Sequence, residues 1–152
     1  MTWIETSFLW MMYRCGRPAK AGQETVLAVE ISRDGFEGAL CHACLSHYAR
    51  GMHPDRAAWR RQLKRAPARV QWDPERDLHI HPLPYRSLQL GLPVRPYDAT
   101  ATNGRSASDD VTPPAHEIHT LVSGGDADSA ARLLPQERPC PVGGELLACL
   151  QA

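Results

Sequence analysis

The sequence has no net charge and no long hydrophobic run, and each absence narrows the possible functions. Its 17 basic and 17 acidic residues cancel, so any attraction to nucleic acid or to an anionic membrane must be local. The longest apolar run near the start, FLWMMY at residues 8–13, is too short to cross a bilayer and lacks the flanks of a signal peptide. We therefore expect a cytoplasmic protein that does not enter a membrane.

Common motifs of nucleotide-binding, hydrolytic and calcium-binding proteins are also missing. The chain has no Gly-rich phosphate loop, no GxSxG nucleophile elbow and no DxDxDG calcium loop. Its five cysteines are an odd number without regular spacing, which indicates reduced thiols rather than a disulfide framework. The sequence therefore identifies neither a cofactor nor a partner.

What is present is the composition of a single globular domain. The 152 residues suffice for one hydrophobic core but not comfortably for two, so we predict one domain over the whole chain. Thirteen prolines and 11 glycines indicate many loops.

Capping residues and apolar periodicity predict helices and strands in no strict alternation. The predicted helices follow Ser7 as far as Gly16 and then cover residues 34–48, 54–65, 114–122 and 126–134. The predicted strands cover residues 25–32, 68–72 and 85–92, and the first of them reads as largely buried. This order predicts an α+β fold, with helices packed on a small mixed sheet and a helix pair near the C-terminus.

Four residues have side chains that zinc commonly binds. Cys41 and Cys44 are separated by two residues, and His79 and His81 form a His-x-His pair, so the four supply the ligand types of a zinc site. However, Cys44 lies on the apolar stripe of a predicted helix, where a free cysteine acts as a small hydrophobe. We favour no metal site.

A basic segment lies between Arg50 and Arg69, with Asp55 as its one acidic residue. Three of its cations are spaced four apart and line one face of the predicted helix: Arg56, Arg60 and Lys64. Such a face can bind phosphates, and Trp59 could stack on a base. Trp59 shares its face with Leu63, so we assign it to the core. For the basic face of the helix, we favour the interpretation that its cations are simply solvated.

Three long strings resemble the uncharacterised domain-of-unknown-function family 4291 of bacteria and fungi: MTWIETSFLWMMYRCG, HPDRAAWRRQLKRAPARVQWDPERDL and DVTPPAHEIHTLV. The resemblance covers residues 1–92 and 109 to about 142. It implies a soluble single domain and supplies no activity, cofactor or catalytic residue. An enzyme acting on a nucleotide or nucleic acid is one alternative for the family, with four candidate ligand-binding residues near element ends: Arg14, Tyr85, Arg86 and Gln89.

The chain also departs from the family pattern in two places. Members begin upstream of the position of Met1 with a strand-rich segment, so the resemblance implies N-terminal truncation. At residues 93–108, PVRPYDATATNGRSAS, the family has a helix and a strand instead of a linker-like run. One back-translation of this run, with its first two bases dropped, encodes the family-like peptide GEAVRRYGDEWTVSI. We interpret the chain as a truncated, locally frameshifted copy without activity.

Overall fold

The computed structural model describes residues 2–92 and 108–150. Within these ranges the strands are β1 (Thr2–Glu5), β2 (Leu27–Val29), β3 (Ala43–Leu45), β4 (Ala68–Arg76), β5 (Pro82–Leu92) and β6 (Ser108–Asp110). The helices are α1 (Phe8–Arg14), α2 (Arg33–Cys41), α3 (Arg56–Arg65), α4 (Thr112–Ser123), α5 (Ala127–Leu133) and α6 (Gly144–Leu150).

A four-stranded mixed sheet in the order β1-β5-β4-β3 organises the fold. Strands β4 and β5 form an antiparallel hairpin, and β1 pairs antiparallel with the other side of β5. Strand β3 joins β4 in parallel, with Ala43 beside Ala68. The predicted α+β class is confirmed, including the mixed sheet and the C-terminal helix pair, which is α4 and α5.

One face of this sheet forms the main hydrophobic core. Because side chains alternate along a strand, Val70 of β4 and Leu90 of β5 lie opposite each other on the same face, and both are almost fully buried. Leu40 of α2 and Leu150 of α6 pack against them. A second core joins α1 to α4 through Met12 and Ala115.

Side-chain caps explain where several helices begin. The Ser7 hydroxyl accepts a hydrogen bond from the Trp10 backbone N–H, and the Asp55 carboxylate accepts one from Ala58 at 2.6 Å. Asp126 caps α5 in the same way. Each bond satisfies a backbone donor that would otherwise have no partner in the first turn. The sequence-based helices at these three positions are confirmed.

The helix predicted over residues 34–48 is wrong beyond Cys41. Helix α2 begins after Ser32, whose hydroxyl accepts a hydrogen bond from Gly35, and it ends at Cys41. Residues 43–45 instead form β3, because they pair with β4. The four-residue spacing of apolar side chains in this region therefore spans a helix and a strand, which local periodicity does not distinguish.

The predicted burial of the first strand is also wrong. Strand β2 is only three residues long and pairs with β6 in a separate two-stranded sheet. Leu27 and Val29 are 55% and 46% exposed, whereas the neighbouring Val26 is buried. Within the described residues, a two-stranded ribbon lacks the second layer that would cover its apolar side chains.

Strands β4 and β5 are longer than predicted. The prediction ended both strands short of the neighbouring prolines, whereas the strands include these prolines. Pro74 lies where the pairing register shifts before Arg76, and Pro82 begins β5. Both are positions at which a missing N–H is tolerated. Strand β1, strand β6 and helix α6 were not predicted. Residues 93–107 of the anomalous run lie outside the described residues, whereas its last residue, Ser108, begins β6. No helix in the described ranges is both long and apolar enough to span a bilayer.

The main core predicts a large stability difference between two substitutions in β5. Leu90→Ala removes a side chain that is 1% exposed and should lower the free energy of unfolding by about 2–5 kcal/mol. Tyr85→Ala removes one that is 60% exposed and should change it by no more than about 0.5 kcal/mol. Urea unfolding of both variants measures the difference; equal losses would contradict the assigned faces of β5.

Candidate functional site

Helix α3 is fixed to the edge of the sheet by its tryptophan. The Trp59 indole N–H donates to the Leu45 carbonyl of β3 at 2.9 Å, and its ring lies edge-on to Tyr48 at 6.4 Å between centroids. Both contacts turn this side of α3 inward. The indole is therefore already occupied by protein groups, in agreement with its interpretation as a packing residue.

The outward surface of α3 is strongly basic. Its cations are all exposed: Arg56, Arg60, Arg61, Lys64 and Arg65. None of them makes an ion pair with a carboxylate of the described chain. Asp55, the nearest acidic residue in sequence, uses its carboxylate to cap the helix. We call these five side chains the basic face of α3.

Like charges on this face repel one another. Arg56 and Arg60, Arg60 and Lys64, and Arg61 and Arg65 are each four residues apart, so each pair is adjacent on the helix surface. Repulsion in such pairs costs about 0.2–0.5 kcal/mol each. Lys64 and Arg65 at the end of the helix are favoured by its dipole, but Arg56 in the first turn is not. A bound anion would relieve this repulsion.

A groove lies beside the basic face, where α3 approaches the end of α2. It has a volume of about 390 Å³ and is lined by His42, Ala58, Arg61, Gln62, Arg65 and Ala66. The His42 Nδ1 lies 2.8 Å from the Gly38 carbonyl, so this nitrogen carries a proton and donates it. Two guanidinium groups beside the Gln62 amide form a donor-rich surface suited to phosphate oxygens.

Arg56 has an additional contact at the start of the helix. Its guanidinium carbon lies 5.0 Å from the centroid of the Tyr48 ring, which is within cation–π distance. Tyr48 also contacts His53, with ring centroids 6.5 Å apart. Arg56 is therefore more constrained than the other cations of the basic face, and its position is set by the loop before α3.

A second polar cluster lies on the face of the sheet opposite the main core. Glu5 of β1, Gln89 of β5 and Gln71 of β4 stand side by side across three strands. The Gln89 amide donates to Glu5 at 2.5 Å, and the Gln71 amide donates to Asp73 at 2.8 Å. This face of the sheet therefore carries a row of polar side chains, whereas the opposite face is apolar.

The structure brings together two of the four candidate ligand-binding residues, Arg14 and Gln89. Arg14 Nε lies 3.9 Å from the Glu5 carboxylate, and the same carboxylate accepts the hydrogen bond from Gln89. Tyr85 is exposed farther along β5. Arg86 is adjacent to Tyr85 in the strand, so its side chain points to the opposite face. A ligand role for any of the four stays a prediction.

The four weak metal candidates lie on different parts of the fold. Cys41 ends α2 and is exposed, whereas Cys44 is buried in β3. His79 and His81 lie between β4 and β5 with their rings 6.0 Å apart. Within residues 2–92 and 108–150, no three or more potential ligands form a group that could hold a metal ion.

Sequence reasoning assigned no binding role to His42, Arg61, Arg65 or Glu5, although Arg61 and Arg65 lie in the basic segment that it noted between Arg50 and Arg69. The first three come together only because α2 ends at Cys41 and α3 packs beside that end. For the two arginines, the sequence did contain a usable pattern. Positions 61 and 65 form a second row of cations on α3, one residue beyond the row at 56, 60 and 64. Glu5 becomes notable only through its pairing with β5.

Comparison with known proteins identifies a family. A family model described as Domain of unknown function (DUF4291) matches residues 1–140. No curated protein and no solved structure matches the sequence.

The placement of the cysteines predicts unequal thiol reactivity. Cys41 is exposed, whereas burial raises the pKa of the Cys44 thiol and lowers its thiolate fraction. In the native protein, Cys41→Ser should therefore remove one rapid equivalent of reaction with Ellman's reagent, whereas Cys44→Ser should leave the rapid phase unchanged. Loss of the rapid phase in Cys44→Ser would contradict this placement.

Proposed function

The chain belongs to the family that shares the domain of unknown function DUF4291, and we propose that this member binds a nucleic-acid strand through its phosphate backbone. The observation that carries the proposal is the basic face of α3, with five exposed cations and no ion pair to the described chain. Phosphate contacts supply most of the affinity in sequence-independent binding of nucleic acids.

The spacing of the cations suits a linear polyanion. Arg56, Arg60 and Lys64 are one helical step of four residues apart, which corresponds to about 6 Å along the helix axis. A row of charges with this spacing can contact successive phosphates of one strand. Arg61 and Arg65 extend the same surface into the adjacent groove, where a guanidinium can bind a phosphate through two parallel hydrogen bonds.

The distribution of charge along the chain supports a local site. Seven basic residues and one acidic residue lie between Arg50 and Arg69, so the rest of the chain has ten basic and sixteen acidic residues. An anion approaching the protein is therefore attracted to this segment and repelled elsewhere. Neutral overall charge is compatible with binding at one face.

The proposed contact is to the backbone rather than to the bases. Trp59 is the only aromatic residue within α3, and its indole is held by the Leu45 carbonyl and the Tyr48 ring. Stacking on an aromatic side chain supplies much of the affinity in many single-strand binding proteins. Without such stacking, binding here should depend strongly on salt and weakly on sequence.

The proposal predicts a measurable change in salt dependence. For a mixed-sequence single-stranded RNA, each neutralised phosphate contributes about 0.7 to the slope of log affinity against log salt. Replacing two cations in Arg60→Gln/Lys64→Gln should therefore reduce that slope by about 1.4 and weaken binding at low salt. Fluorescence anisotropy across a series of salt concentrations measures both quantities.

Two further variants control this experiment. Arg132→Gln removes an exposed cation from α5 and should leave the slope unchanged. Trp59→Leu removes the aromatic ring, and as long as the variant folds it should leave RNA affinity within about twofold if the contact is to phosphate alone. Equal binding by the wild-type protein and by Arg60→Gln/Lys64→Gln, or no binding at low salt, would refute the proposal.

A second proposal is that this copy has lost the activity of its family through a frameshift over residues 93–108. The exposed Leu27 and Val29 of β2 favour it, because the described chain leaves this apolar edge uncovered. The peptide GEAVRRYGDEWTVSI from the shifted frame has Trp, Val and Ile alternating with polar residues, a pattern suited to a strand with one apolar face.

Restoring that peptide tests the second proposal. A variant with GEAVRRYGDEWTVSI in place of residues 93–107 should have a higher Tm than the present chain, because its Trp, Val and Ile can cover the exposed Leu27 and Val29 of β2. The nucleotide sequence of the gene supplies an independent test. A gene that does not encode this peptide in any frame would refute the frameshift, and an unchanged Tm would refute its proposed effect on the fold.

A further inference from the structure

Glu5 and Gln89 form an unusually buried polar pair at the junction of β1 and β5. The two residues are directly opposite in the antiparallel register, and the Gln89 Nε2 donates to the Glu5 Oε1 at 2.5 Å. The Glu5 side chain is 2% exposed and Gln89 is 1% exposed. Burial of a carboxyl group at this level is costly unless it is neutral or fully hydrogen-bonded.

Each partner has one oxygen without a hydrogen bond. The Glu5 Oε2 and the Gln89 Oε1 are both buried and accept no bond from any described residue. If Glu5 were ionised, both atoms would be acceptors without donors, which costs about 1–3 kcal/mol for each buried group. A single proton on the Glu5 carboxyl converts one of these oxygens into a donor.

We propose that Glu5 and Gln89 form a proton-bearing acid–amide pair that fastens edge strand β1 to β5. In this arrangement the amide N–H donates to the carbonyl oxygen of the acid, and the acid O–H donates to the carbonyl oxygen of the amide. The two groups are complementary because each supplies one donor and one acceptor. The pair therefore satisfies both buried oxygens with one proton.

One positive and two negative groups act on the pair. Arg14 of α1 approaches Glu5, and Asp73 and Glu75 of β4 are the acidic residues whose charges act on it. Burial raises the pKa of Glu5 to about 7, although the Gln89 hydrogen bond and the Arg14 charge oppose the increase. Burial, rather than the surrounding charges, therefore agrees with the hydrogen-bonding geometry in favouring a protonated carboxyl.

The pair makes the attachment of β1 depend on pH. Because the pKa of Glu5 in the folded protein is above its ordinary value of 4.5, the folded state holds this proton more tightly than the unfolded state. The contribution of the pair is complete below pH 4.5, decreases as the pH rises, and is lost as the pH passes about 7. Ionised Glu5 then faces an acceptor oxygen, and β1 loosens together with α1, which begins three residues later.

The titration of the Glu5 carboxyl tests the proposal directly. Carbon-13 NMR of the labelled wild-type protein should show a midpoint near pH 7 for Glu5. The signal of the Glu5 carboxyl is the one that disappears in Glu5→Gln. If that variant does not fold, the signal can be assigned in the wild-type protein through its magnetisation transfer to neighbouring β1 residues. A midpoint near the ordinary value of 4.5 would overturn the proposal.

Stability measured against pH supplies the matched comparison. The wild-type free energy of unfolding should fall between pH 5 and pH 8 as the proton is lost, and Glu5→Gln should remove this decrease because its amide does not ionise. The control Glu37→Gln changes a partly exposed carboxyl paired with Arg33 and should keep the wild-type decrease. An undiminished decrease in Glu5→Gln would also overturn the proposal.

Discussion

The β4–β5 hairpin is the element on which the other parts of the structure depend. Its alternation places Val70 and Leu90 on one face and Gln71 and Gln89 on the other. The apolar face forms the main core with α2 and α6, whereas the polar face lies toward α1. The hairpin edges also position the outer strands, because β1 pairs with β5 and β3 pairs with β4.

The basic face of α3 is connected to this hairpin by a short series of contacts. Strand β3 is held in parallel by β4, and the Leu45 carbonyl of β3 accepts the indole hydrogen bond from Trp59. Because Trp59 occupies the inward side of α3, the cations of the same helix point to solvent. The fold thus presents a concentrated positive charge on a rigid helix rather than on a flexible loop, which reduces the entropy lost when phosphates bind.

The two polar regions differ in how they handle charge. The basic face is exposed, so water solvates its cations and an anion can reach them. The Glu5 and Gln89 pair is enclosed, so it avoids charge by holding a proton, and only its neutral form satisfies every buried oxygen. One region is therefore suited to binding a partner, and the other to linking two strands.

Sequence patterns predicted the elements whose ends are determined locally. The caps at Ser7, Asp55 and Asp126 mark three helix starts because each bonds to a backbone N–H within three residues. Strand β3 was missed because it depends on Ala68–Val70, far along the chain. The spacing of Arg56, Arg60 and Lys64 alone predicts a row of cations on the basic face of α3. The groove and the Glu5–Gln89 pair could not, since both require contacts between separate elements.

The central claim is that phosphates bind at the basic face of α3, and side-chain NMR tests it at the level of single residues. Arginine Nε–H signals can be followed while a short single-stranded RNA is added to the folded protein. The account predicts large, salt-sensitive shifts for Arg60, Arg61 and Arg65, and none for Arg132 on α5. Shifts of similar size at Arg132, or no shifts on α3 at low salt, would contradict it.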